Sequence, residues 1–239
     1  MSKLTPRSIL LMSFVLFKQA SPQLAKVLLP ILLVAETSSF LATSNLPSVG
    51  LFLNACSATI ESIASALALS ILFRVRFPNS PFKISLGAFV LFAITEAYIS
   101  IVIVLGLLLF IFPGVVAIAS TFLAPAFALI ERQNPFEAIA SSTDCAKGNL
   151  AAILVSFLTF MFVALLLGAI VSLLPQSIIF VANIGTSFIG LYLYSLIVVV
   201  FEQLHPNNTL QQTDDQLHYR CLLSSNVPER PLPKSGYGS

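Results

Sequence analysis

Long apolar runs separated by short polar segments dominate this chain. From Ser85 to Ile130 the only charged residue is Glu96. An unbroken helix over that stretch would be about 69 Å long, more than twice the roughly 30 Å hydrocarbon core of a bilayer. The chain is therefore predicted to cross a membrane twice here. Pro113 and Gly114 are predicted to form the hairpin turn between the two crossings.

Six apolar runs of spanning length follow one another along the chain. Short segments at 43–48, 112–114 and 174–176 are predicted to join them in pairs as helical hairpins. The fold is predicted to be all-α, a polytopic bundle of about six transmembrane helices with short interfacial helices. The predicted spans are Leu24–Ala42, Val49–Phe73, Ser85–Ile111, Gly114–Ile130, Leu150–Leu173 and Ser177–Val200.

The few charged residues support a membrane domain and predict its orientation. They make up 9% of the chain, whereas a soluble domain carries about 25%. All twelve Lys and Arg residues fall on one side of the six-span arrangement, and the three hairpin turns carry none. The positive-inside rule therefore predicts that both termini are cytoplasmic. Residues 1–205 are predicted to form the transmembrane domain, and the polar residues 206–239 a disordered cytoplasmic tail.

An apolar segment, Ser8–Phe17, precedes the first span and is flanked by Arg7 and Lys18. A signal peptide has a similar apolar region, but no small-residue cleavage site follows it here. We expect this segment to form a short separate helix that lies on, or dips into, the cytoplasmic interface.

The segment after the fourth span carries the signals of a short helix. Asn134 is a suitable N-cap, Pro135 suits the first helical position, and Glu137 completes a capping-box-like pair. Gly148 favours a stop after the helix. Apolar and polar residues occupy different faces, so the helix is predicted to lie on the cytoplasmic membrane surface. A linker helix packed on the bundle is the alternative.

A series of short motifs runs through the third span, the fourth span and this helix. They are Leu105-Gly106, Phe112-Pro113-Gly114, Leu123-Ala124-Pro125-Ala126, Leu129-Ile130-Glu131, Pro135-Phe136-Glu137-Ala138, Ser141 and Lys147-Gly148-Asn149. In this order the motifs resemble the YciC-type family of six-helix bacterial inner-membrane proteins. They are also similar to the membrane domain fused to some glycerophosphodiester phosphodiesterases.

The resemblance covers about Val104–Ala152 and implies a fold and a compartment, the bacterial inner (cytoplasmic) membrane, rather than an activity. In those proteins a Pro-Gly hairpin precedes a helix ending in Glu, and an amphipathic helix with a central serine follows. That serine corresponds to Ser141. Ala140 and Ser142 depart from the base and the aromatic residue that usually flank it.

Three carboxyl groups fall inside the predicted spans, at Glu36, Glu61 and Glu96. A charged group at the centre of a span costs about 2.5–3.5 kcal/mol on insertion scales, which makes such residues candidate functional sites. Glu36 lies near the outer end of its span and is interpreted as structural. Glu61 and Glu96 lie near the midplane and are predicted to face the bundle interior, forming an intramembrane polar site with Asn54. They fit either hydrogen bonds that join helices or a proton- or cation-responsive site.

Pro125 lies inside the fourth span, where its ring and its missing N–H must bend or break the helix. A bend that only shapes the bundle is one interpretation, since prolines are tolerated in transmembrane helices. The alternative is a broken helix that exposes backbone carbonyls to a ligand.

Catalytic motifs are missing from the sequence. Both histidines, His205 and His218, follow the last span, and the chain has no nucleophile elbow or phosphate loop. We expect neither an enzyme nor a cofactor or metal site, and the net charge of +2 does not indicate nucleic-acid binding.

Two functions remain. The first is a non-catalytic protein of the bacterial envelope that organises lipid or partner proteins. Its partners would be membrane lipids, other membrane proteins or a second copy of the chain. The alternative is a small transporter or channel component with a midplane carboxyl site at Glu61 and Glu96.

Overall fold

The computed structural model describes residues 5–44, 47–78, 85–109 and 111–204. Six helices within these ranges are long and apolar enough to cross a membrane. The fold is thus an all-α bundle, and the chain is a multi-pass membrane protein, as predicted. The predicted tail lies outside the described residues. The helices are α1 (Pro6–Ser44), α2 (Pro47–Arg76), α3 (Leu86–Leu109), α4 (Ile111–Thr121), α5 (Ala124–Ile130), α6 (Pro135–Ala146), α7 (Leu150–Ser172), α8 (Gln176–Gly190) and α9 (Tyr192–Leu204).

The first span begins much earlier than predicted. Residues 8–17 belong to α1 and do not form a separate interfacial helix. Pro22 and Pro30 lie inside α1, where each removes a backbone donor and favours a bend rather than a stop. A buried stripe at helical spacing continues through both prolines and explains why the helix is uninterrupted. The stripe consists of Ile9, Ser13, Leu16, Ala20, Leu24, Leu28, Leu32 and Ala35.

The contacts of α1 with α8 indicate that α1 is bent. The rings of Phe17 and Phe188 lie 5.8 Å apart, and Glu36 is hydrogen-bonded to Ser187. A straight helix would separate residues 17 and 36 by about 28 Å. Because both reach adjacent residues of α8, α1 must curve around it.

The third and fourth spans form a close hairpin. A Cβ atom added at Gly106 would lie 2.9 Å from the Cα of Gly114. The two backbones are therefore so close that only glycine fits at position 106. Pro113 and Gly114 themselves lie in the first turn of α4. The prediction that these two residues form the turn is therefore wrong. A proline in the first turn of a helix costs no backbone hydrogen bond, which explains why Pro113 is tolerated in α4.

Two spans are each built from two helices. In the fourth span α4 ends at Thr121 and α5 begins at Ala124, with Pro125 in its first turn. In the sixth span Leu191 separates α8 from α9. Pro125 therefore breaks its span, as the sequence predicts, and the break faces the site described next.

Ion pairing and aromatic packing fix one end of the sixth span. The Arg76 guanidinium at the end of α2 donates two hydrogen bonds of 2.7 Å to the Glu202 carboxylate on α9. Phe201, the neighbour of Glu202, packs against Phe127 at 5.2 Å and Phe73 at 6.4 Å. This arrangement holds α2, α5 and α9 together at the end of the bundle next to α6.

Candidate functional site

Glu96 joins three helices through its carboxyl group. The Tyr194 hydroxyl of α9 donates a hydrogen bond to Oε1 of Glu96 at 2.9 Å. The Ser62 hydroxyl of α2 donates one to Oε2 at 3.2 Å. Such bonds hold transmembrane helices together because lipid tails offer polar groups no partner. Glu96 is half-buried and faces its neighbouring helices.

A cavity of about 360 Å³ lies beside the Glu96 side chain. Side chains from α3, both halves of the fourth span, α7 and α9 line it, and most of them are apolar. Small-molecule sites typically combine apolar walls with a few convergent polar groups. The lining residues are Glu96, Ile99, Ser100, Ile103, Ile118, Thr121, Phe122, Pro125, Phe157, Leu193, Tyr194 and Ile197. We refer to it as the Glu96 cavity.

The hydroxyl hydrogens around the Glu96 cavity are already engaged in hydrogen bonds. Ser100 donates to the backbone oxygen of Glu96 at 2.8 Å, and Thr121 donates to that of Ala117 at 2.7 Å. Tyr194 donates to the carboxyl group itself. Since a hydroxyl has a single hydrogen and two lone pairs, these groups can offer only oxygen lone pairs to a ligand. The cavity is therefore suited to a molecule that is mainly apolar and carries a hydrogen-bond donor.

The break in the fourth span forms one wall of this cavity, and α6 satisfies its backbone. The buried Ser142 hydroxyl donates to the carbonyl oxygen of Ser120 at 2.7 Å. The Oγ of Ser142 in turn accepts a hydrogen bond from the N–H of Leu123 at 3.0 Å. A buried backbone group left without a partner would cost about 1–3 kcal/mol. Ser142 thus allows the helix to break between Thr121 and Ala124, beside the cavity.

Glu61 and Asn54 do not belong to this site. Both residues are exposed on the surface of α2, and the expectation that Glu61 faces the bundle interior is wrong. Glu61 Oε1 lies 3.3 Å from the Ser57 hydroxyl, one turn earlier on the same helix. Ser57 also lies 3.1 Å from the carbonyl oxygen of Ala35. Ser57 is buried, whereas Glu61, one turn later on the same helix, is exposed.

The short helix α6 has the limits that the sequence predicts. Asn134 Oδ1 accepts a hydrogen bond from the N–H of Glu137 at 2.9 Å, and Pro135 occupies the first turn. Gly148 follows the helix with a φ of 88°, a conformation that favours glycine.

The buried face of α6 is neither the apolar face through Phe136 nor the polar face through Glu137 that the amphipathic pattern predicts. It consists of Ala138, Ser142 and Ala146, all fully buried. Phe136 remains exposed and contacts the Tyr98 ring at 5.2 Å. These contacts agree with the alternative prediction of a linker helix packed on the bundle.

Sequence reasoning missed two side chains that matter for the geometry, Ser142 and Tyr194, and placed Ser187 only on a helix-packing face of the sixth span. Ser187 donates a 2.8 Å hydrogen bond to Oε1 of Glu36, and Tyr194 donates to Glu96. The two donors are seven residues apart on the sixth span, which is two helical turns. Two hydroxyl residues at this spacing on one span, and two acids in other spans, are the sequence pattern that could have predicted these two hydrogen bonds.

Comparisons of the chain with protein-family models, curated protein sequences and solved structures found no match. The resemblance of its motifs to the YciC-type family therefore stays a prediction.

Proposed function

We propose that this chain is a non-catalytic integral membrane protein that binds a lipid-like amphiphile in the Glu96 cavity and thereby organises membrane lipid. The observation that carries the proposal is the cavity itself. Its walls are apolar except for the oxygen acceptors of Glu96, Ser100, Thr121 and Tyr194. The expected ligand has a hydrocarbon body and a head that donates hydrogen bonds, such as a hydroxyl, amide or amine.

The surroundings of the cavity support a ligand taken from the bilayer. The helix that carries Glu96 exposes apolar side chains on its other faces, including Ile94 and Ile101, which are 51% and 57% exposed. α7, which supplies Phe157, also exposes large apolar residues such as Phe162 and Leu165. Lipid is the natural neighbour of such surfaces, so an amphiphile would reach the cavity from within the membrane.

We further propose that the protein lies in the bacterial inner membrane with both termini cytoplasmic. The segregation of all twelve bases supports the orientation, and the family resemblance supports the compartment. In this orientation α6 lies on the cytoplasmic side, and the α1–α2 and α7–α8 connections lie on the outer side.

A cavity-filling substitution tests the lipid-binding proposal. Ile99→Trp places a large ring in the cavity, whereas Ile101→Trp places the same ring on the exposed face of α3. The full chain is purified in mild detergent, and its bound lipids are extracted and counted by mass spectrometry. We expect an equimolar amphiphile in the wild type and in Ile101→Trp, and its loss in Ile99→Trp. Equal retention by both variants would refute the proposal.

A transporter component is the second candidate, and the broken fourth span favours it. Broken helices in transporters expose backbone groups beside a midplane substrate site, and Phe122 and Pro125 line the cavity here. Reconstitution into liposomes distinguishes the two functions. A transporter moves the co-purified molecule across the membrane and loses this flux in Glu96→Gln but not in Glu61→Gln, whereas a lipid-organising protein shows binding without flux.

A further inference from the structure

A second cavity, of about 480 Å³, lies between α1, α7 and α8. Glu36 contributes the carboxyl group, and Ser187 holds its Oε1 through a 2.8 Å hydrogen bond. Unlike the Glu96 cavity, this one has oxygen- or amide-bearing side chains from all three helices. The lining residues are Glu36, Gly168, Val171, Ser172, Ile179, Asn183, Thr186 and Ser187. We refer to it as the Glu36 cavity.

The hydroxyl groups of the Glu36 cavity present acceptors only. Thr186 donates its hydrogen to the backbone oxygen of Ala182 at 2.6 Å, and Ser172 donates to that of Ala169 at 2.7 Å. Ser187 donates to Glu36. Every hydroxyl hydrogen among these lining residues is therefore committed, and their lone pairs and the carboxylate remain available. A group that carries donors is the complement of these oxygens, and the Asn183 amide adds one further oxygen acceptor beside its own N–H donors.

The position of the cavity in the bundle further restricts the chemical class of the ligand. Ser172 is the last residue of α7, and α1 ends at Ser44, eight residues after Glu36. Ser187 lies eleven residues, about 16 Å, into α8. The cavity thus extends from the head-group end of α7 toward the bilayer midplane. The carboxyl end of α7 adds a partial negative charge, which favours a cation.

We propose that the Glu36 cavity binds a primary ammonium group. An ammonium has three N–H donors and no acceptor, which matches a carboxylate surrounded by hydroxyl and amide oxygens. A bare metal ion needs a close shell of oxygen ligands, and the cavity is far wider than such a shell. The ammonium can come from an aminolipid head group or from a free amine. This site is distinct from the Glu96 cavity in place and in ligand, so the two proposals can fail separately.

Native mass spectrometry of the full chain in neutral detergent tests this assignment. The measurement compares the binding of three probes. The probes are short-chain phosphatidylethanolamine, short-chain phosphatidylcholine and free ethanolamine. The choline head group is cationic but has no N–H donor, so it isolates the role of the donors. We expect the wild type to bind phosphatidylethanolamine at least about tenfold more tightly than phosphatidylcholine, as loss of a hydrogen bond to a charged group predicts.

Glu36→Gln is expected to abolish this preference. Glu61→Gln is the matched control, because Glu61 is also a carboxyl inside a span but is exposed and lines neither cavity. Should Glu36→Gln fail to fold, Gly168→Leu replaces it. Nothing lies within 4 Å of a Cβ added at Gly168, so a side chain there enters the cavity without a backbone clash.

Each outcome has a defined meaning. Competition by millimolar free ethanolamine would assign the site to soluble amines as well, and lack of competition would assign it to the lipid head group. Equal affinity for the ethanolamine and choline lipids would overturn the proposal. So would an unchanged preference in Glu36→Gln or, where that variant does not fold, in Gly168→Leu.

Discussion

The Ser142 hydroxyl on α6 donates a 2.7 Å hydrogen bond to the backbone oxygen of Ser120 inside the fourth span. Through the 3.0 Å bond that it accepts from Leu123, the same side chain also satisfies the other side of the break. A helix outside the spans thereby completes the backbone hydrogen bonding of a span. Without it, the backbone that shapes the Glu96 cavity would lack two partners.

Replacing Ser142 with alanine should therefore lower the free energy of unfolding by about 1–3 kcal/mol, the cost of leaving a buried backbone group without a partner. Ser141→Ala is the matched control, because Ser141 is the neighbouring serine and is only half-buried. Thermal unfolding of both variants in detergent measures the difference. An equal effect of the two substitutions would contradict the role given to Ser142.

The spans could be predicted because their signal is local and strong. About twenty apolar residues in a row have few alternatives to a membrane helix, and the Asn134 cap acts within one turn. The inward side of each span could not be predicted in the same way, because lipid tails and neighbouring helices are equally apolar surroundings. Glu61 shows this limit: small residues surround it in sequence, yet it lies on the exposed side of α2.

The two cavities also depend on contacts between residues that are far apart in the sequence, which a local sequence pattern cannot predict. Glu96 and Tyr194 are 98 residues apart, and Glu36 and Ser187 are 151 residues apart. The resemblance drew attention to Ser141, whereas packing selects Ser142. A shift of one residue turns a helix by about 100°, which is enough to move a hydroxyl from the outer surface to the break in the fourth span.

Tyr194→Phe should weaken the packing of α9 on α3, because it removes the hydroxyl that donates to Glu96. Interhelical hydrogen bonds in membrane proteins contribute about 0.6 kcal/mol on average and about 1.7 kcal/mol at most. We expect a loss in that range. A double-mutant cycle with Glu96→Ala, which removes the acceptor, measures the coupling between the two side chains.

The single variant Glu96→Gln should remain folded, since an amide oxygen can still accept from Tyr194. Glu61→Gln serves as the control and should show no coupling to Tyr194→Phe. A coupling energy of zero between Tyr194 and Glu96 would show that their contact has no energetic role.

Gly106→Ala should destabilise the hairpin of the third and fourth spans. Its Cβ would lie 2.9 Å from the Cα of Gly114, which forces the two backbones apart. Overpacking of this kind costs about 1–3 kcal/mol. Gly185→Ala is the control, because nothing lies within 4 Å of a Cβ at that position. Unfolding curves in which the two variants behave alike would argue against the close approach.

Cys145 on α6 should react slowly with alkylating agents at neutral pH. Burial raises the pKa of its thiol above the ordinary value, and the nearby carboxylates of Glu131 and Asp144 raise it further. The reactive thiolate is then scarce at pH 7, and the alkylation rate should rise about tenfold per pH unit until the raised pKa is reached. Rates of iodoacetamide labelling between pH 7 and pH 10, with Cys56 and Cys221 replaced by alanine, provide the measurement.

Removing one of the carboxylates checks the cause of the slow reaction. Asp144→Asn should lower the thiol pKa and move the rate profile to lower pH. Glu137→Gln removes a carboxylate from the same helix that does not contribute to the shift, so its profile should match that of the parent. An unshifted profile in Asp144→Asn would leave burial and the Glu131 carboxylate as the causes.

The orientation of the chain is tested by reporter fusions at the connections between the spans. Fusions after Ser44 and Leu174 should report the outer side, and fusions after Phe77 and Gly148 the cytoplasmic side. The reason is electrostatic: bases near the ends of the spans resist transfer across the membrane, and none of the twelve falls in a connection assigned to the outer side. Cytoplasmic activity of the Leu174 fusion would place the Glu36 cavity at the inner surface. An aminolipid would then reach the Glu36 cavity from the inner leaflet and not from the outer one.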